Sequence, residues 1–234
     1  MVQTGACPPG PGMVRIAVIS APEEFAAERR HLLEYALPEL QRHYIQRGIE
    51  VEMVGLLTSG HRWNPQLCND LRAEIEDCHS VSQAVFALFL VGDRRGPFCP
   101  PGRLSQETFD RLRIWAGEAA GMLETAYDRD ENSLPPQLVY RDDRESGSDQ
   151  GTTELVNLLR KAEREGVFSY QSVLESLVES ALDQSSAAWS RCLLAIPPDD
   201  SAAQSADCAD NVIGMRQWRR SLLERLGKDN VVPI

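Results

Sequence analysis

Val85-Phe86-Ala87-Leu88-Phe89-Leu90-Val91 is continuously apolar, the pattern of a central parallel strand covered by helices on both faces. Each large side chain in it contributes roughly 1.5–3 kcal/mol on burial, so a charge at Leu88 is expected to unfold the protein. Gly92 ends the run and opens a loop dense in Gly, Pro and Arg that continues through Arg103. Ser105 then caps a further helix, with Phe109, Leu112, Ala116, Ala119 and Leu123 along its buried face.

Upstream, Asn64-Pro65 reads as cap and first position of a helix striped by Leu67, Leu71, Ile75 and Cys78. Before it, Ile49, Val51 and Met53 alternate with Glu50 and Glu52, the period of a half-buried strand near a sheet edge. Gly48 closes the preceding helix, whose apolar positions are Phe25, Leu32, Leu33, Ala36, Leu37, Leu40 and Tyr44, with Pro38 marking a kink or break. Ser20-Ala21-Pro22-Glu23 is expected to start that helix, with Ser20 as cap and Glu23 completing a capping box. Val14 to Ile19 is the first strand. Strands alternating with helices in this order predict a doubly wound, mostly parallel α/β fold. Loops leaving the strands near Ser20, Thr58 and Asp93 would gather on one rim, where such folds bind ligands.

Beyond Tyr127 the rhythm changes. The expected organisation is a flexible tail over 1–13, an α/β domain over 14–141, a flexible linker over 142–153 and a helical extension over 154–234. The linker has almost nothing to bury. The extension carries one helix marked by Leu155, Leu158, Leu159 and Ala162, and a second marked by Val173, Leu174, Leu177, Val178, Ala181 and Leu182. After a polar stretch at 199–210 comes an amphipathic segment with Met215, Trp218, Leu222 and Leu226, its arginines facing solvent.

The 234 residues carry a formal charge of −11, with 42% hydrophobic residues and only 6% aromatics. That balance disfavours nucleic acid, whose phosphates need basic partners. Arg94-Arg95 and Arg219-Arg220 are the basic spots, and both read as solvated surface. Six cysteines, at 7, 68, 78, 99, 192 and 208, form no CxxC pair and no Cys/His cluster of zinc spacing. They read as reduced thiols of a cytoplasmic protein, with no metal. The first residues lack the basic and apolar segments of a signal peptide. The longest apolar run is too short to span a bilayer, so no membrane partner is expected.

The chain lacks a GxGxxG turn after its first strand, a Walker A loop and a GxSxG elbow. It should therefore not hydrolyse ATP by itself. His61, after the second strand, is the histidine best placed for function, and His31, His43 and His79 form no local pair. Gly92-Asp93-Arg94-Arg95-Gly96-Pro97 leaves the central strand with charges of both signs. Its arginines could meet a phosphate or carboxylate bidentately. Equally, Asp93 and the arginines could pair with one another. Glu107, in the first turn of the next helix, could stabilise positive charge on a sugar during glycosidic cleavage, or simply favour the helix start. Asp128-Arg129-Asp130-Glu131-Asn132 is either a solvated turn or a tie between the two halves of the chain.

Several segments together resemble one family: Val14-Arg15-Ile16-Ala17-Val18-Ile19-Ser20, Glu28-Arg29-Arg30-His31-Leu32-Leu33, Leu37-Pro38-Glu39-Leu40, Phe89-Leu90-Val91-Gly92-Asp93-Arg94-Arg95-Gly96 and Arg129-Asp130-Glu131-Asn132-Ser133-Leu134-Pro135. Their order and spacing are similar to the amino-terminal region of NACHT and WD-repeat domain-containing proteins. The resemblance implies a three-layer parallel sheet, flavodoxin-like or TIR-like, as the front of a nucleotide-regulated signalling or scaffold protein. ATP would then be bound by a NACHT domain outside this chain. The implied role is a cytoplasmic input domain that binds other proteins, or itself. The alternative it implies is a TIR-like NAD glycohydrolase with Glu107 catalytic and Ser20, Asp93 and Arg94 holding NAD. Two departures fall on the rim. Gly55-Leu56-Leu57-Thr58-Ser59-Gly60 stands where the group commonly has Asp-Leu-Arg-Trp-Gly, and Thr108 rather than an acid precedes Phe109.

Overall fold

The computed structural model of the chain describes residues 12–57, 63–141, 149–184, 186–197 and 209–233. In chain order its elements are β1 (Gly12–Ser20), α1 (Ala26–His31), a π-helical turn (Leu32–Ala36), α2 (Leu37–Ile45), β2 (Ile49–Gly55), α3 (Pro65–Val81), β3 (Ala87–Leu90), β4 (Arg103–Ser105), α4 (Gln106–Ala116) and α5 (Ala120–Ala126). There follow β5 (Tyr127–Asp130), β6 (Gln137–Tyr140), α6 (Asp149–Arg164), α7 (Val173–Leu182), β7 (Cys192–Ile196), α8 (Ala209–Leu226) and β8 (Val231–Pro233).

Two compact units emerge. The first comprises Met1–Ser59, Arg72–Gly96 and Leu177–Ile234; the second comprises Gly60–Leu71 and Pro97–Ser176. Unit one is built on a five-stranded sheet in the order β2-β1-β3-β7-β8, in which every pairing is parallel. Numbered by appearance, the parallel strands read 2-1-3-4-5, an order compatible with a flavodoxin-like fold. The apolar ribbon lies at the centre, with β3 paired to β1 on one side and β7 on the other. Ala17, Ile19, Ala87, Phe89, Cys192 and Leu194 are fully buried on one face. On that face Arg15 reaches α3 through ion pairs with Glu74, 2.7 Å away, and with Asp77. The opposite face carries Val18, Leu90 and Ala195, packed against Phe25 and Leu32 of the α1 side.

That second face is covered less completely, and Leu88 is only half-buried there. The expectation that Leu88 is a deep core position is corrected. Alternation puts Phe89, not Leu88, on the closed face.

The larger correction concerns the second half of the chain. The expected helical extension contains two strands, β7 and β8, of the parallel sheet, while α6 belongs to the core of unit two. Cys192-Leu193-Leu194-Ala195-Ile196 is a short apolar run of the kind periodicity cannot tell from a buried helix turn. β8 lies at the sheet edge, where Pro233, having no N–H to donate, is tolerated. Of the expected linker, 142–148 fall outside the described residues and 149–153 lie in α6. Residues 1–11 of the expected tail are also outside, and Gly12 and Met13 already belong to β1.

Unit two joins an antiparallel sheet, order β4-β6-β5, to α4, α5 and α6. Its core includes Phe109, Leu112, Leu123, Leu138, Leu155 and Leu159. Two buried tyrosines keep their hydroxyls satisfied, Tyr127 on the Pro101 carbonyl at 3.0 Å and Tyr170 on that of Cys99 at 2.8 Å. The expected single helix from Ser105 is two, because Gly117 takes φ 56° and ends α4. The Ser105 and Asn64 caps form as expected, accepting from the N–H of Thr108 and Leu67 respectively. The acidic cluster at 128–132 belongs to the β5–β6 hairpin, where Asp128 pairs with Arg141 across the strands.

Candidate functional site

Order 2-1-3-4-5 reverses direction between β1 and β3, and in doubly wound sheets it is at the carboxyl ends of the strands flanking this reversal that ligands bind. Ser20 and Leu90 are register partners there. Ser20 is the last residue of β1, almost fully buried, and its hydroxyl accepts from the Arg29 guanidinium at 2.8 Å. It is not the helix cap the sequence suggests. Pairing with β3 keeps the strand extended through Ser20, and α1 begins only at Ala26, after Phe25 in a left-handed conformation.

What replaces the cap is Arg29. Its two terminal nitrogens donate to the carbonyls of Ala21 at 3.0 Å and Pro22 at 2.8 Å, and also to that of Glu24. One planar fork thus gathers the whole turn after β1.

The turn carries Glu24 across to the loop after β3. Glu24 Oε1 accepts from two successive backbone N–H groups, of Asp93 at 3.0 Å and Arg94 at 3.2 Å. Oε2 is buried with no hydrogen-bond partner among the described residues. Burial therefore pushes this carboxyl above its usual range, and the two N–H groups oppose the shift without reversing it. The approach is so close that a Cβ on Gly92 would stand 2.6 Å from Oε1, which explains a glycine directly after the strand.

Asp93 turns its side chain to Arg219 of α8, 3.3 Å away. Arg219 is only 7% exposed, which overturns its reading as solvated surface. Arg220, one position on, is exposed as expected. Arg94 is exposed, with its backbone N–H engaged by Glu24.

The structure thus brings Ser20, Asp93 and Arg94 to one rim of unit one. Glu107 lies in the first turn of α4, exposed, and belongs to unit two. Thr58 and His61 fall outside the described residues. Among the described residues there is no group of metal-ligating side chains that could hold an ion and no helix long and apolar enough to cross a membrane. Cys68, Cys78 and Cys192 are buried and Cys99 is partly so, none of the four in a disulfide, while Cys7 and Cys208 are not described. Burial pushes the Cys78 thiol up to about 11 and the Cys192 thiol to about 12, the state of inert packing residues.

Glu24, Arg29 and Arg219 were not legible as site residues. Arg219 had a signal: it lies four residues after Met215 and three before Leu222, on the apolar stripe of α8. Nothing local marks Glu24, whose partners are about 70 residues away.

Comparison with known proteins points one way. The chain is 29% identical over 135 residues to NACHT and WD repeat domain-containing protein 2 of Homo sapiens, covering 55% of this chain and 8% of that protein. The Mus musculus counterpart is 28% identical over the same length, again covering 55% and 8%. NACHT domain- and WD repeat-containing protein 1 of Mus musculus is 30% identical over 125 residues, covering 49% and 8%. The chain thus matches only about 8% of the length of these relatives. No family model matches the chain, and no solved structure matches it.

Proposed function

We propose that this chain is a regulatory, protein-binding module of the kind that fronts NACHT and WD-repeat proteins, acting in the cytoplasm as an input or scaffold domain. The observation that carries this reading is that the rim between β1 and β3 is filled from within. Glu24 occupies the N–H groups of the loop after β3, and Arg29 occupies the carbonyls of the loop after β1. In a doubly wound fold the N–H groups of the post-strand loops are the usual grip on a phosphorylated cofactor. Here they are taken up by the chain's own side chains, and Glu24 joins the two loops. Similarity to NACHT and WD repeat proteins supports the same role. The module would couple partner binding, or self-association, to a nucleotide-driven change in a NACHT domain elsewhere.

The alternative is a TIR-like NAD glycohydrolase. Its carboxylate would be Glu107, with Ser20, Asp93 and Arg94 contacting NAD. A dinucleotide phosphate could use the Asp93 and Arg94 N–H groups only after Glu24 had left them, so the filled rim favours the binding module.

Two measurements on the purified chain decide between the readings. Calorimetric titration against the NACHT region of the Homo sapiens relative, with light scattering of the chain alone, should give saturable binding or self-association. Incubation with NAD should release no nicotinamide. Absence of both kinds of association, together with release that Glu107→Ala abolishes, would replace the module with the glycohydrolase.

A further inference from the structure

We propose that the backbone N–H groups of Asp93 and Arg94 form a latent binding site for a phosphate group, kept closed by Glu24 acting as a built-in plug. The site goes beyond the protein-binding reading and holds whichever partner the module takes.

Three observations converge on it. First, two successive N–H groups point at a single carboxylate oxygen, at 3.0 and 3.2 Å. Converging backbone donors of this kind bind anions, and they retain that property when the anion is supplied by the chain itself. Second, Gly92 leaves room at the cradle that no other residue would leave. A Cβ there would lie 2.6–2.7 Å from both oxygens and the carboxyl carbon of Glu24. The space is therefore shaped for an oxyanion rather than for a side chain on the loop itself. Third, the plug is poorly satisfied. Among the described residues Glu24 Oε2 is buried without a hydrogen-bond partner, and burial pushes the carboxyl towards protonation. A tightly held structural carboxylate would have both oxygens engaged. An incoming phosphate would keep the two N–H bonds and turn its remaining oxygens outward, towards the exposed Arg94.

The location agrees with the chemistry. The cradle lies just past the paired carboxyl ends of β1 and β3, where the strand order reverses, the place at which doubly wound sheets hold phosphorylated ligands. Arg29 ties the loop that carries Glu24 through the Glu24 carbonyl, a contact that does not involve the carboxylate and that the loop keeps when the carboxylate leaves the two N–H groups.

Inorganic phosphate is titrated into 15N-labelled full chain, wild type beside Glu24→Ala, Glu24→Ser and Glu24→Gln. Alanine and serine remove the plug, and serine is the second variant should alanine cost the fold. Glutamine keeps the volume and one acceptor, so the cradle stays closed. The expected result is saturable movement of the Asp93 and Arg94 amide signals in the alanine and serine variants, with an affinity about tenfold or more above that of wild type and of glutamine. Tighter binding of AMP than of phosphate would support the site and assign the phosphate to a nucleotide. Amide signals that stay fixed in a dispersed spectrum of either opened variant would overturn the proposal, and so would equal movement in all four proteins.

Discussion

Gly92 and Glu24 are 68 positions apart in the sequence, yet they define one another. A methyl group on Gly92 would meet the Glu24 carboxyl carbon at 2.7 Å, so Gly92→Ala should push the carboxylate off the Asp93 and Arg94 N–H groups and destabilise by about 1–3 kcal/mol through the bonds lost. In a Glu24→Ala background the same methyl enters vacated space, and most of that cost should disappear. Urea unfolding of the four members of the cycle measures the coupling, and additive values would mean the contact is absent. Glu24 also fixes a pH dependence. Burial, the largest cause, holds its carboxyl above the usual range in the native state. The folded protein therefore binds this proton more readily than the unfolded chain. The resulting stability is fully present below the ordinary carboxylate range and is lost as pH rises through the raised native value. Glu24→Gln does not titrate. Its stability relative to wild type should improve between about pH 4 and neutrality. A difference that stays constant across that interval would contradict the burial of this group.

At the scale of elements, β3 and α8 show how much a single register position matters. Phe89 is fully buried on the closed face of the sheet, whereas Leu88 on the other face is half-buried. Phe89→Ala should cost about 3–5 kcal/mol, and Leu88→Ala clearly less. Thermal midpoints rank the two directly, and the reverse order would mean the faces are exchanged. On α8, adjacent arginines have opposite fates. Arg219→Ala removes the ionic partner of Asp93 from a site only 7% exposed and should cost about 3 kcal/mol. Arg220→Ala, on the exposed side, should stay within about 0.5 kcal/mol. Equal values from denaturant unfolding would place Arg219 in solvent. Arg225 gives α8 a second tie, at 2.8 Å from both oxygens of Glu179 on α7.

For the whole molecule, the decisive feature is that the sheet closes late in the chain. β3 has its own pairing completed only by β7, and β7 by β8. A fragment ending at residue 141 would leave the most apolar strand as an open edge, a template for aggregation. That fragment should be insoluble or molten, while the full chain unfolds cooperatively. A dispersed, monomeric spectrum from residues 12–141 alone would contradict this topology. The insertion of Pro97–Ser176 between the third and fourth parallel strands has its own core. It explains why the second half reads as a change of rhythm rather than as a continuing sheet.

Local sequence determined the strands β1, β2 and β3, the caps at Asn64 and Ser105, and the α/β class. Each of those follows from periodicity or capping chemistry within a few residues, where propensity and burial pattern act together. Tertiary structure alone decided that Cys192 to Ile196 pairs beside β3, that Ser20 meets Arg29 instead of capping a helix, and that Glu24 closes the rim over Asp93 and Arg94. Short apolar runs and isolated charges carry no periodicity of their own. Their environment is set by segments distant in sequence, which come together only when the sheet is assembled.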